Sequence, residues 1–156
     1  MPKLDLEAIP QQNTTGYPPP FDAPMAGRFV RRLAQATGLR QLGAAHVVLR
    51  PGGWSSQRHW HAVQDELMVM LSGEAVLVED EGETVLAPGD IVCWPAGVEN
   101  GHHLQNRGER DCVFLVVSAG DPKIDHGEYP DIDMIFRPDG YAHKDGTPYP
   151  ETRRAS

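Results

Sequence analysis

The sequence predicts an all-β fold, a barrel of antiparallel strands in a single domain. Sixteen glycines and 14 prolines interrupt short β-branched runs at regular intervals, a pattern typical of sandwiches and barrels with many turns. The short connections between these runs suit antiparallel hairpins. With 156 residues, the chain is long enough for one hydrophobic core and too short for two ordinary domains.

Apolar runs separated by turn residues predict a series of strands in the central part of the chain. They cover residues 44–50, 54–61, 66–71, 73–79, 83–86, 90–94, 102–106 and 111–117. The glycines that separate them, among them Gly53, Gly73, Gly89 and Gly97, are expected at turns that need a positive φ.

The flanks of this region are less regular. Arg28–Leu33 can begin a strand, and Leu33–Thr37, closed by Gly38, can equally form one helical turn. Near the other end, Ile132–Phe136 is expected to add one strand. We therefore divide the chain into an N-terminal arm with a first strand (1–40), a barrel (41–120), and a C-terminal strand and tail (121–156).

The N-terminal segment 1–27 contains the run Tyr17-Pro18-Pro19-Pro20-Phe21. Prolines favour extended conformations. The segment is therefore either an arm that lies across the barrel or a neighbouring subunit, or a partly disordered terminus, and the sequence leaves both alternatives open.

The charge of the chain argues against nucleic acid or an anionic membrane as its main partner, because the formal net charge is −8. The arginine pairs Arg31-Arg32 and Arg153-Arg154 are too small for a basic binding patch. The longest apolar stretch is too short to span a bilayer, and from the polar start we expect no secretory leader. We therefore expect a cytoplasmic protein in which Cys93 and Cys112 are free, buried thiols.

The run His59-Trp60-His61 predicts a metal site. Residues two apart in a strand face the same side, with Cα atoms about 6.6 Å apart, so two imidazoles can converge on one ion. Glu66 begins the returning strand, and its carboxylate can add an oxygen ligand. Imidazole and carboxylate together suit zinc, iron, manganese, nickel or cobalt better than calcium.

A fourth ligand is expected from another strand that faces the first pair. His102 and His103 are the candidates, and only one of them can point inward because adjacent strand residues face opposite sides.

The spacing of these residues resembles the cupin family. Its first motif, G-x5-H-x-H-x4-E-x6-G, is matched at every position by Gly53, His59, His61, Glu66 and Gly73. Its second motif, G-x5-P-x-G-x2-H-x3-N, is matched at most positions by Gly89, Pro95, Gly97, His102 and Asn106.

The second motif departs from the family at one point. Asn100 stands where cupins carry histidine, so a short insertion precedes His102. The spacing to Asn106 favours His102 over His103 as the fourth ligand, and Asn100 is a third candidate.

The resemblance implies a double-stranded β-helix, the cupin jelly-roll barrel, with extended arms at both ends. It implies one divalent metal ion held by His59, His61, Glu66 and His102, a small-molecule ligand and a homodimer. The segments HWHAVQDELMVMLSGE and PAGVENGHHLQNRG resemble a bacterial single-domain cupin subgroup, some of whose members are labelled sugar-phosphate isomerases.

Two functions remain open. One is a metal-dependent enzyme in which the ion acts as a Lewis acid on a small oxygenated substrate, in an isomerase or lyase reaction, or binds dioxygen if it is iron. The other is a non-catalytic module that captures a sugar or an organic acid. An enzyme needs a protonatable residue near the open face of the metal, and His46 and Glu99 are the candidates. No residue is assigned a catalytic role.

Strand alternation gives further expectations for the cavity. Met68 and Met70 share the face of Glu66 and are expected inward, as core filling below the metal. Gln57 lies two residues before His59 and therefore faces the same side of the strand, so its side chain is expected to hydrogen-bond in the pocket. In the last barrel strand, the inward set is either Cys112, Phe114 and Val116 or Val113, Leu115 and Val117.

Overall fold

Antiparallel strands make up nearly all of the regular structure in the computed structural model, which describes residues 3–150. The strands are β1 (Arg28–Arg32), β2 (Gly43–Leu49), β3 (Asp65–Ser72), β4 (Ala75–Glu79), β5 (Gly82–Leu86), β6 (Ile91–Trp94), β7 (His103–Gln105), β8 (Cys112–Ala119), β9 (Gly127–Tyr129), β10 (Met134–Arg137) and β11 (Gly140–Ala142). A 3-10 helix spans Ala23–Gly27 and one short helix, α1, spans Leu33–Thr37. Within residues 3–150, no helix is long and apolar enough to cross a membrane. The all-β prediction is confirmed.

Two sheets enclose the main core. The larger has the strand order β1-β2-β8-β3-β6, and the smaller has the order β5-β4-β7. Both contribute buried side chains to one cluster, whose members include Leu49, Met70 and Phe114 from the larger sheet and Leu77 and Leu104 from the smaller. Packing of two apolar faces against each other is what makes such sheets stable.

Strand alternation places the predicted methionines in this core. Met68 and Met70 are 1% exposed, and Met70 pairs with Phe114 across β3 and β8. The inward face of β8 is the one that carries Cys112 and Phe114, which are both buried. The expectation for Met68 and Met70 is therefore confirmed.

The two cysteines are free, as expected, but only Cys112 is buried. Cys93 is exposed, so the prediction of its burial was wrong. The cause is the alternation of β6, in which Trp94 takes the inward position next to Cys93.

The expected strand over residues 54–61 does not form. Only isolated bridges from Trp54 to Gln105 and from His59 to His102 remain. Ser55 explains part of the interruption, because its hydroxyl accepts a hydrogen bond from the backbone N–H of Leu104 at 2.8 Å and takes the place of a ladder carbonyl. The segment therefore bends between two points of contact with the strand opposite.

The regions before and after the barrel are more structured than the sequence indicated. The strand and the helical turn near residue 33 both form, as β1 and α1, and Gly38 with φ of 73° closes the helix. Three strands, rather than one, lie between residues 121 and 150, and they form a separate sheet in the order β11-β10-β9.

The N-terminal arm lies across its own barrel. Gln12 bridges to Val30 on β1, and the side-chain amide of Gln57 donates to the carbonyl of Phe21 at 2.8 Å. Tyr17 and Met25 pack with Tyr129 and Met134 in a second buried cluster. The arm and the C-terminal sheet therefore form one layer over one side of the barrel.

Two motif glycines are required for different reasons. Gly73 has φ of 70°, and a Cβ there would lie 2.6 Å from the carbonyl oxygen of Asp111. At the turn after β2 a positive φ was expected at Gly53, but the residue that adopts it is Gly52. Gly53 is needed because a Cβ would lie 2.9 Å from the backbone of Gly27, which crosses it.

Replacing Gly127 with alanine is expected to destabilise the fold, because its Cβ would lie 1.9 Å from the carbonyl oxygen of Trp60 and 2.5 Å from the ring of Phe136. Overpacking of this kind costs about 1–3 kcal/mol. That loss lowers the melting temperature by roughly 2–12 °C in a chain of this size. Gly108→Ala is the control, since the nearest atom to its Cβ would be 3.4 Å away. Equal melting temperatures for the two variants would contradict the prediction.

Candidate metal centre

Backbone pairing brings the predicted ligands together from separate segments. His59 and His102 form an antiparallel bridge, in which the N–H of His102 donates to the carbonyl of His59 at 2.9 Å. Glu66 lies on β3 and pairs with Trp94 on β6. The side chains of His59, His61 and Glu66 each offer one ligand atom, and these atoms lie within 4.8 Å of one another.

In the three histidines predicted as ligands, Nδ1 lies on the side away from the centre and contacts a hydrogen-bond acceptor. Nδ1 lies 2.9 Å from the carbonyl of Gln57 in His59, and 2.6 Å from the carboxylate of Asp125 in His61. In His102 it lies 3.2 Å from the carbonyl of Asn100. Because carbonyls and carboxylates accept hydrogen bonds, Nδ1 of His59 and of His61 carries the proton and the lone pair sits on Nε2, whereas His102 faces an acceptor at both ring nitrogens.

The Nε2 atoms converge. Those of His59 and His61 are 3.1 Å apart, which sets two lone pairs against each other unless a cation or a second proton on one ring lies between them. His102 Nε2 lies 2.9 Å from Glu66 Oε2. An ion bound by these atoms relieves the lone-pair contact without a second proton on any ring.

Electrostatics keeps two of these groups in the form that binds metal. Burial, together with the charge of His61, lowers the pKa of His59 to about 3, so its ring is neutral at ordinary pH. Burial alone would raise the pKa of Glu66, but the hydrogen bond from His102 and the neighbouring imidazoles lower it to about 2. A neutral imidazole and an ionised carboxylate are the forms that bind a metal.

The competing candidates for the fourth ligand face elsewhere. His103 Nδ1 lies 3.0 Å from the carbonyl of Ser56, and its ring packs edge-on against Trp54. The amide of Asn100 donates to Glu79 at 3.1 Å and accepts from the N–H of Asp80. Of the three candidates, only His102 has a side-chain atom beside Glu66.

Two neighbours that the sequence did not indicate orient the histidines. Asp125 is 4% exposed, and it binds His61 through one oxygen while the other accepts the N–H of Val63 at 3.0 Å. The ring of Trp94 stacks on His102 with centroids 3.9 Å apart and an interplanar angle of 6°. Such partners fix the tautomer and rotation of a ligating ring.

A cavity of about 380 Å³ opens beside this centre. All four predicted ligands line it, with Met68 and Phe114 from the barrel core. Three tyrosines, Tyr17, Tyr129 and Tyr141, form another wall. Tyr129 packs edge-on against the rings of the other two, and its ring stacks on His59 with centroids 5.5 Å apart.

The residues expected to supply a proton lie outside the cavity. His46 is on the opposite face of β2 from the lining residues Ala45 and Val47, and its buried Nδ1 has no hydrogen-bond partner in the described part of the chain. Glu99 is exposed and does not line the cavity. Gln57 binds the N-terminal arm instead of the pocket.

The donor set fits a transition metal. Imidazole nitrogens with one carboxylate oxygen match the preference of zinc, iron, manganese, nickel and cobalt, while calcium prefers an all-oxygen shell. The protonated Nδ1 atoms and the contact between Nε2 atoms are the observations that support this fit.

Comparison with known proteins places the chain in a family. The Cupin domain model matches residues 45–118. A crystal structure from Silicibacter pomeroyi, described as a sugar phosphate isomerase from a cupin superfamily, is 42% identical, with 96% of this chain and 97% of that chain covered and a TM-score of 0.89. The chain belongs to the cupin superfamily. The double-stranded β-helix prediction is thereby confirmed.

Other solved cupin-like structures are more distant. A protein from Acidithiobacillus ferrooxidans, provisionally named a sugar phosphate isomerase, is 26% identical over 83% of this cupin and 84% of that chain, with a TM-score of 0.69. The polyketide cyclase RemF from Streptomyces resistomycificus, at 21% identity over 78% of this chain and 80% of that one, has a TM-score of 0.62 and shows the fold alone. No curated protein matches the sequence.

Proposed function

We propose that this cupin is an enzyme that holds one divalent metal ion between His59, His61, Glu66 and His102 and acts on a small oxygenated substrate. The observation that carries the proposal is the convergence of Nε2 atoms 3.1 Å apart on rings whose Nδ1 atoms are already bound. Such an arrangement buries opposed lone pairs and is unfavourable unless a cation or an added proton lies between them.

The bound ion would supply Lewis-acid polarisation of a substrate carbonyl or hydroxyl. The residues of the chain bind and orient the substrate. Burial raises the pKa of Tyr17 and Tyr129, so their hydroxyls stay protonated and can donate hydrogen bonds to substrate oxygens. Met68 and Phe114 close the base of the cavity and exclude water from it.

An isomerase reaction on a sugar phosphate is the most specific form of this proposal. It is supported by the protein from Silicibacter pomeroyi, because the 42% identity extends over 96% of this chain. The cavity volume of about 380 Å³ is in the range that takes a small ligand.

A non-catalytic binding role is the second candidate, and one observation favours it. Among the described residues, no imidazole or carboxylate lines the cavity apart from the four proposed ligands. Proton transfer there would depend on the metal and on hydroxyl groups, such as those of the tyrosines, rather than on a further imidazole or carboxylate.

Incubation of the metal-loaded protein with phosphorylated aldoses and ketoses tests the enzyme proposal. We expect NMR spectra to show aldose–ketose interconversion that disappears in His102→Ala and persists in His143→Ala, a histidine on the C-terminal sheet side of the molecule. Saturable binding of the same sugars without any interconversion would contradict catalysis and support the binding role. The homodimer and the cytoplasmic location remain predictions.

A further inference from the structure

The cavity carries a charge opposite to that of the whole chain. The formal net charge of the protein is −8, yet three arginines, Arg28, Arg32 and Arg137, line the cavity and Glu66 is the one carboxylate that lines it within residues 3–150. With a divalent ion bound, the excess of positive charge would be larger still. Fields of this kind attract anionic ligands.

Among the described residues, the arginines outside the cavity fall into two groups, since Arg31, Arg58 and Arg107 are ion-paired whereas Arg40, Arg50 and Arg110 are not. Arg31, Arg58 and Arg107 each form an ion pair with a carboxylate within 4.0 Å. In the part of the chain that the structure describes, none of the three cavity arginines has such a partner. Their counter-ion is therefore not supplied by the described residues.

Strand geometry gathers two of these arginines on one face. Arg28, Val30 and Arg32 alternate along β1, and all three line the cavity. Their partners across the strand pair include Ala45 and Val47, which are short enough to leave the guanidinium groups room. Arg137, the last residue of β10, lines the same cavity.

Arg28 is fixed in place without being neutralised. It donates hydrogen bonds to the carbonyls of Ser55 at 2.8 Å and Thr14 at 3.2 Å, and carbonyls carry no net charge. A guanidinium has five N–H donors, so donors remain for a ligand. Burial, opposed by the three tyrosines and assisted by the charge of Arg32, lowers the pKa of Arg28.

We propose that Arg28, Arg32 and Arg137 bind the phosphate group of the substrate, while its oxygenated carbon end reaches the metal centre. This inference rests on the proposed function and names the anionic part of its substrate. A phosphate monoester carries close to two negative charges and offers several acceptor oxygens, which suits a cluster of guanidinium groups.

The position of the cluster suits a substrate with a phosphate at one end. Tyr129 stacks on His59 with centroids 5.5 Å apart, and its hydroxyl belongs to the tyrosine group that interacts with Arg28. Tyr129 therefore lies beside a histidine of the proposed centre in a cavity that the arginines also line. A small phosphorylated sugar can contact both.

Binding of inorganic phosphate to the full chain, with metal removed by chelation, tests the proposal by titration calorimetry. Arg28→Gln and Arg137→Gln are each expected to weaken phosphate binding by about 10- to 100-fold, the range for hydrogen bonds to a charged group. Arg40→Gln removes an exposed arginine outside the cavity and is the matched control. The side chain of Arg137 makes no hydrogen bond to other described residues, so its variant is expected to fold normally even if Arg28→Gln does not.

Three results would overturn the proposal: no binding of phosphate, equal affinity in wild-type and Arg137→Gln proteins, or tighter binding of malonate than of phosphate. Because the measurement uses metal-free protein, its outcome is independent of the metal site. Phosphate binding that persists in His59→Ala, with arginine variants that weaken it, would support this inference even if the metal proposal failed.

Discussion

Purified His59→Ala protein is expected to retain no stoichiometric metal ion after reconstitution, whereas the wild-type chain retains one. The substitution removes an Nε2 that lies 3.1 Å from that of His61 and leaves the remaining donors with an incomplete shell. We expect affinity for Zn²⁺ or Mn²⁺ to fall by more than about 100-fold, beyond the range that follows from losing an outer partner of a ligand. Elemental analysis after gel filtration measures the content directly.

His143→Ala is the control for this experiment. Its Nδ1 lies 2.8 Å from Asp133 and its ring stacks on Tyr149, so it removes an imidazole that is already hydrogen-bonded but lies outside the cavity. Equal metal content in His59→Ala and wild-type proteins would eliminate the proposed centre. Melting temperatures of both variants separate loss of metal from loss of fold.

Asp125→Asn is expected to weaken metal binding by about 10- to 100-fold while leaving every proposed ligand in place. The carboxylate of Asp125 accepts hydrogen bonds from His61 at 2.6 Å and from the backbone N–H of Val63 at 3.0 Å. An asparagine has one acceptor oxygen and a donor amide, so it can satisfy only one of these two groups. The ring of His61 would then no longer be held both in the tautomer with the proton on Nδ1 and in its present orientation.

The same motif elsewhere in the chain supplies a control. Asp133 also bridges a histidine Nδ1, that of His143, and a backbone N–H, that of Lys144, at 2.8 and 2.9 Å, but it is exposed. Asp133→Asn is expected to leave metal affinity unchanged. If Asp125→Asn and Asp133→Asn bound Zn²⁺ equally well, Asp125 would have no part in orienting His61.

The proposed metal ligands could be predicted because their spacing is local. His59 and His61 need only an extended backbone to face the same side, and Glu66 follows after one turn. The choice of His102 also rested on local spacing, and the structure brings its Nε2 beside Glu66. The strand that was expected to carry the first pair, however, is broken by the serine-mediated contact at Ser55.

The rest of the site depends on contacts between distant segments and could not be predicted from local patterns. Asp125 reaches His61 across more than sixty residues, and Tyr17 meets Tyr129 from the opposite end of the chain. The C-terminal tail is rich in Asp, Pro, Gly and Tyr, which are typical of loops, so only the strand near Ile132–Phe136 was predicted, and the other two strands and the buried carboxylate were not. The abundance of tyrosine there was the one available indication.

The origin of the cavity walls has a consequence for how such proteins diverge. The Cupin domain match covers residues 45–118, and the proposed ligands all fall inside it, but Tyr17, Arg28, Tyr129 and Arg137 all fall outside. Mutation and selection can therefore alter what the cavity accepts by changing the flanking segments, while the barrel and its histidines are inherited intact. Two cupins descended from one ancestor can bind the same metal ion and recognise different small molecules. The sequence differences responsible would then lie in the segments that flank the barrel.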